Sequence, residues 1–165
     1  LVLGAEARGF WLGAAIACEV GCGFVPARRP GKLPPETVAA QYALEYGKNS
    51  LEVNSHTIRE GARVIIHDDV LATGGTVEAI GGLVEKLGGQ VVGVCFVIEL
   101  GFLGGRDRLQ KYDLYSLVTY CNRAESGTGS FAITSRRCWK HSHTRAGFIF
   151  RRRHIISLNS TFPIS

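Results

Sequence analysis

The chain has 165 residues, 45% hydrophobic and 9% aromatic with 21 glycines, which suits one domain with a real core and reads as a soluble α/β protein. Its apolar runs fall far short of the roughly 18 residues of a membrane helix, and no basic stretch precedes Leu1 to mark a signal peptide. The net charge of +5 is a property of the end of the chain: residues 1–120 carry 11 Lys and Arg against 13 Asp and Glu, residues 121–165 carry 8 against 1, so a nucleic-acid partner is not expected for the main body.

Met is absent, and Leu1-Val2-Leu3 already looks like a strand interior, so the chain is expected to begin partway through a domain. The cysteines at 18, 22, 95, 121 and 138 form no CxxC pair and no zinc set. Reduced, partly buried thiols of an intracellular protein are the expectation.

Leu1 to Leu3 should be a buried strand that runs into Gly4-Ala5-Glu6-Ala7-Arg8-Gly9. Phe10 to Val20 is small and apolar, which predicts a helix packed tightly on a sheet and ended by Gly21. Phe24 to Ala27 is a short strand. Arg28-Arg29-Pro30-Gly31-Lys32-Leu33-Pro34-Pro35 is basic and rich in breakers, so it predicts an exposed loop. The alternation in residues 41–53 predicts a two-stranded ribbon with its turn near Gly47-Lys48-Asn49-Ser50. Glu60-Gly61 is a turn.

Arg63 to His67 predicts the next strand, with Asp68 and Asp69 at its end. A helix opens at Thr76, carries Val77, Ile80, Leu83, Val84 and Leu87 at helical spacing, and stops at Gly88-Gly89. Val91 to Ile98 is almost wholly apolar, as in a central parallel strand covered on both faces. Tyr115 to Thr119 completes a parallel sheet flanked by helices. Residues 121–165 show no sustained period and almost no acid. They are read as a basic, disordered tail; a nucleic-acid or lipid-binding arm at Arg151-Arg152-Arg153 is the rival reading.

The chemistry concentrates at residues 68–76. Ala72-Thr73-Gly74-Gly75-Thr76 lies between a strand and a helix. Small residues there let backbone amides approach an anion, the hydroxyls of Thr73 and Thr76 add donors, and the helix dipole favours negative charge. This suits a 5′-phosphate. It is not a Walker loop, because no Gly-Lys-Ser/Thr follows. Asp68 and Asp69 would repel a phosphate but could accept hydrogen bonds from ribose hydroxyls. A helix cap is the plainer reading, but two adjacent acids at a buried strand end carry a desolvation and repulsion cost that favours a ligand role.

Val64-Ile65-Ile66-His67-Asp68-Asp69-Val70-Leu71-Ala72-Thr73-Gly74-Gly75-Thr76 resembles the phosphoribosyl-pyrophosphate (PRPP) motif of type I phosphoribosyltransferases. His67 replaces a usual apolar residue, as at an exposed strand end. Segments 4–10, 23–34, 42–47, 50–53 and 98–109 resemble the adenine phosphoribosyltransferase family in the same order, from residue 1 to about residue 120. The resemblance implies the type I fold over residues 1–120, with the hood over the base incomplete because the family's N-terminal segment is not in this chain. Residues 121–165 are unlike the family, as if from a frame change or an alternative transcript end.

The resemblance also implies roles. Glu6, Ala7, Arg8 and Gly9 would form the pyrophosphate loop, with a non-proline cis peptide near Glu6-Ala7. Arg28, Arg29 and Lys32 would lie on a loop that closes over pyrophosphate. Glu45 would be the acid/base group at purine N7, and Tyr46 would pack over or gate the site. The implied reaction is adenine plus PRPP to AMP plus pyrophosphate, with Mg²⁺ held by substrate and water and no direct protein ligand, in a cytoplasmic homodimer without a membrane partner. The alternatives are an inactive or PRPP-sensing module of the same fold, and a transferase for another base.

Overall fold

The structure, a computed structural model, describes residues 1–44, 47–121 and 132–134, with backbone alone for 42–44, 47–49 and 132–134. Val2–Ala5 (β1) is buried at every position, and Phe24–Ala27 (β2) pairs parallel with it. Between them Gly9–Val20 (α1) buries Gly9, Gly13 and Ala17, a stripe of small side chains that lets the helix lie close on the sheet. Phe10 meets Phe24 edge-on, ring centres 5.9 Å apart, and fixes the helix over β2.

Arg63–Leu71 (β5) pairs parallel with β1 on the side away from β2. Gly75–Lys86 (α2), Gln90–Leu100 (β6) and Leu114–Cys121 (β7) follow, and the strand order is β2-β1-β5-β6-β7, all parallel. The order reverses between β1 and β5. Right-handed crossovers therefore put α1 and α2 on opposite faces, and the loops after β1 and β5 part at that point. A four-residue helix, Gly105–Arg108 (α3), joins β6 to β7.

Thr37–Leu44 (β3) and Gly47–Asn54 (β4) form the expected ribbon, a separate two-stranded antiparallel sheet. Its turn is not at Gly47-Ser50. Leu44 pairs with Gly47 and Gln41 with Ser50, so Gly47 to Ser50 are strand. The cross-strand register continues through these polar residues, and breaker composition alone misplaced the turn. Leu51 and Val53 of β4 join Leu3, Ile66, Val77, Ile80, Leu83, Val84, Val94 and Phe96 in one core between the sheet, α2 and the ribbon.

The reading of β5 as ending at His67 is also corrected. The strand runs on to Leu71, since Asp68 to Leu71 keep pairing with Phe96 to Glu99. His67 is therefore no exposed strand end: it is 2% exposed beneath α1. Nor, within the described residues, is β6 covered on both faces. Val94 and Phe96 are buried on the core side. Cys95 and Val97, on the other side, line a groove of about 500 Å³ with Leu12, Ile16, Tyr115 and Leu117. The reason is geometric: α1 packs on β1, β2 and β5 and does not reach over β7.

Residues 132–134 (β8) pair antiparallel with β7, Ala132 opposite Cys121. The rest of the segment read as a tail, with Cys138 and Arg151-Arg152-Arg153, lies outside the described residues. Cys18, Cys22, Cys95 and Cys121 are free thiols, and no helix among the described residues is long and apolar enough to cross a membrane.

The one-sided core makes a prediction. Phe96→Ala should cost about 3–5 kcal/mol in urea unfolding. Tyr115→Ala, at a side chain 57% exposed on the open face, should cost under about 1 kcal/mol. Equal costs would contradict the asymmetry.

Candidate active site

Four segments meet at the carboxyl edge of the parallel sheet. The loop after β1 supplies Glu6 to Gly9, with a cis peptide between Glu6 and Ala7. The end of β5 supplies Asp68 and Asp69, and Ala72 to Thr76 follow. The fourth segment, Arg28 to Glu36, leads from β2 into the ribbon.

Across the switch point Arg8 Nε donates to Asp69 Oδ2 at 2.5 Å. The two loops are thus tied by one ion pair, in which the Arg8 side chain is 76% exposed. Asp68 sits deeper. Its Oδ1 accepts the Asp69 backbone N–H at 2.9 Å, but burial dominates and pushes the Asp68 carboxyl up to about 7, with the Asp69 charge adding to the rise.

The 72–76 loop turns at Gly74, whose φ of +81° is open to glycine and costly for other residues. Gly74 caps α2 through its backbone, with no side-chain cap, so the first-turn amides remain for an incoming anion. Glu78 in that turn is paired with Arg108 at 2.7 Å, which offsets its charge.

Behind this loop stands a support that the sequence reading did not assign. A Cβ on Gly105 would run into the Ala72 carbonyl oxygen and the Leu71 side chain, so only glycine fits there. Arg106 beside it holds the buried Glu99 with two hydrogen bonds, 2.7 and 2.5 Å, and keeps its carboxyl below the usual carboxylate range. The signal was present in Gly104-Gly105-Arg106 and Glu99, but nothing local says that this turn packs under residue 72.

Glu6 directs its carboxylate at the basic segment. Oε2 accepts the Arg29 backbone N–H at 2.6 Å and Oε1 faces Arg28 Nη2 at 3.4 Å. The Arg29 bond, with help from Arg28, outweighs burial and holds Glu6 below the usual carboxylate range. Lys32 is exposed, and its carbonyl accepts from Arg28 Nη1 at 3.2 Å. Beneath α1, His67 Nδ1 lies 3.0 Å from the Cys95 carbonyl oxygen while Nε2 has no partner, and burial lowers the ring's pKa. The same burial pushes the Cys95 thiol up to about 11, so it is no ready nucleophile. Glu45 and Tyr46 lie outside the described residues.

The phosphoribosyl transferase domain model matches residues 1–128. The chain belongs to that family. The adenine phosphoribosyltransferase of Desulfitobacterium hafniense is 56% identical over 120 residues, which are 73% of this chain and 69% of that protein. The one from Alkaliphilus metalliredigens is 55% identical over 120 residues, 73% of this chain and 71% of that one. The solved adenine phosphoribosyltransferase of Thermoanaerobacter pseudethanolicus superposes with a TM-score of 0.70 at 52% identity, over 72% of this chain and 69% of that one. The Saccharomyces cerevisiae enzyme, solved with an imino-altritol bisphosphate and adenine, gives a TM-score of 0.68 at 43% identity, over 70% of this chain and 65% of that one. The type I phosphoribosyltransferase fold, a parallel sheet flanked by helices, is thereby this chain's fold.

Asp68 gives the site a pH signature in the absence of ligand. Its ordinary value is 3.8 and its folded value about 7, so between these the folded state holds a proton that the unfolded chain releases. The contribution of Asp68 to stability therefore falls as pH rises from about 4 to about 7 and levels off above. Asp68→Asn should remove that slope, matching the parent at pH 4 and exceeding it at pH 8 by on the order of 2 kcal/mol in urea unfolding. Parallel pH profiles for the two proteins would refute the assignment.

Proposed function

We infer that the chain is a purine-salvage glycosyltransferase that converts adenine and PRPP to AMP and pyrophosphate. The observation that carries this reading is the juxtaposition of the Asp68-Asp69 pair and the 72–76 turn, which has no side-chain cap, with Arg8 across the switch point. The adenine phosphoribosyltransferases above, at 56% and 55% identity, support the choice of base.

In this reading the 5′-phosphate occupies the Ala72-Thr76 loop, held by the amides of Gly74, Gly75 and Thr76 and the hydroxyls of Thr73 and Thr76. The ribose hydroxyls donate to Asp68 and Asp69. Binding then favours the ionised form of Asp68. The diphosphate lies against the Glu6-Ala7-Arg8-Gly9 loop. An ion pair with so exposed a partner as Arg8 contributes under about 1 kcal/mol, so the guanidinium can turn from Asp69 to a diphosphate oxygen at little cost. Arg28 and Lys32 come from the facing segment and stabilise charge on the departing diphosphate.

N9 of adenine attacks the anomeric carbon as its bond to the diphosphate oxygen breaks. The ribose gains oxocarbenium character there, which the nearby carboxylates favour electrostatically. Glu45, from the resemblance, exchanges the proton at N7, and Tyr46 packs over or gates the site. Holding donor and acceptor in line is the protein's main contribution.

Mg²⁺ fits the donor set in one way. Among the described residues no three His, Cys, Asp or Glu side chains are placed to hold a metal ion, and Asp68 and Asp69 could accept hydrogen bonds from the water around one. The ion would be held by ribose and diphosphate oxygens and water, and when bound it neutralises diphosphate charge. The reading further implies a domain over residues 1–120, a cytoplasmic setting and a homodimer.

The test is AMP formation from adenine and PRPP. The parent chain should turn over, and Glu45→Gln should lower kcat by about 10²–10⁴-fold with PRPP affinity unchanged. PRPP binding without turnover of any base would overturn the enzyme reading.

A further inference from the structure

Glu52 stands out among the acids as 6% exposed with no cation paired to it among the described residues. The other nearly buried acid, Glu99, has Arg106. A carboxylate taken out of water is costly unless its oxygens receive hydrogen bonds. Glu52 receives two: Oε1 accepts the Gly31 backbone N–H at 3.0 Å and Oε2 accepts the Thr37 hydroxyl at 3.0 Å. Its own backbone exchanges two further bonds with Arg28, at 2.9 and 2.7 Å.

One residue of β4 therefore holds the 28–37 segment at three points, residues 28, 31 and 37. Between them Arg29, Pro30, Lys32 and Pro34 to Glu36 are exposed and bury little apolar surface, and Glu36 has a further hold from outside the segment, where its carbonyl accepts from Ser55 and its carboxylate meets His56. Gly31 adopts a φ of +76°, which turns its N–H back toward the strand. Glu6 adds a hold at Arg29 from the other side.

We propose that Glu52 is a positioning residue for the diphosphate: it holds the Arg28–Thr37 segment in a preformed arc from which Arg28 and Lys32 reach the leaving group. This rests on the reading of that segment given under Proposed function. The carboxylate touches no reacting atom. It acts by removing loop freedom that binding would otherwise have to remove.

The test separates this role from plain stability. Glu52→Ala should raise KM for PRPP about tenfold, one hydrogen-bonded anchor's worth, and leave KM for adenine within about twofold. Glu52→Gln should recover most of the loss. Its amide oxygen can accept from Gly31, and its amide nitrogen can donate to Thr37, whose hydroxyl accepts as well as donates. Thr37→Val keeps the carboxylate and should give a smaller rise, about threefold, which keeps the proposal testable if Glu52→Ala does not fold. An unchanged KM for PRPP in Thr37→Val and Glu52→Ala, or an equal rise in both KM values, overturns the role. If the parent chain neither binds PRPP nor turns over, the functional reading fails instead. Hydrogen exchange at Gly31 then decides the structural half: faster exchange in Glu52→Ala than in Glu52→Gln supports the anchor, and equal exchange in the two overturns it.

Discussion

The parallel pairing of β1 with β5 is the constraint on which the rest depends. The two strands are separated in sequence by a helix, a strand and the ribbon, yet Val2, Leu3 and Gly4 lie beside Ile65, Ile66 and His67. Every side chain of β1 is buried, and Val64 and Ile66 of β5 are fully so. A slip of one residue would turn the apolar set of β5 out of the core. That register delivers residues 6–9 and 68–76 to one edge, where Arg8 closes on Asp69. The helices leave on opposite faces, so the space between the two loops stays open for a ligand.

Charge is arranged in layers around that space. Two acids lie at its floor, one ionising with difficulty because it is buried. Around them the cations are carried on an exposed segment that is itself held by carboxylates, Glu6 from one side and Glu52 from the other. Both carboxylates are taken up by hydrogen bonds from that segment. The 72–76 turn depends in the same way on a support behind it, where Gly105 lies against Ala72 beside the Glu99–Arg106 pair.

Much of this was legible in the sequence, for identifiable reasons. Strand β1, the helix with small residues at 9, 13 and 17, and the Gly-Gly turn at 74–75 are local patterns, and local patterns are what sequence shows. The ribbon was legible but its turn was not, because Gly47 to Ser50 look like a turn and pair as a strand. Asp68 and Asp69 read as a strand end because polarity interrupts the apolar run, while the backbone went on pairing with β6. His67 looked like a surface substitution, but α1 packs over it and the Cys95 carbonyl takes its ring nitrogen. Glu52 and Gly105 were the least legible. Each acts on a segment distant in sequence, at Gly31 and at Ala72, and nothing in the residues nearby points there.

The proposed function requires that the carboxyl edge of β1 and β5 bind a ribose 5-phosphate. A crystal structure of the chain with AMP tests it most directly. The phosphate is expected within hydrogen-bond distance of the amides of Gly74, Gly75 and Thr76, and the ribose hydroxyls on Asp68 and Asp69. AMP bound with its phosphate away from this turn, or with its ribose away from both acids, would contradict it.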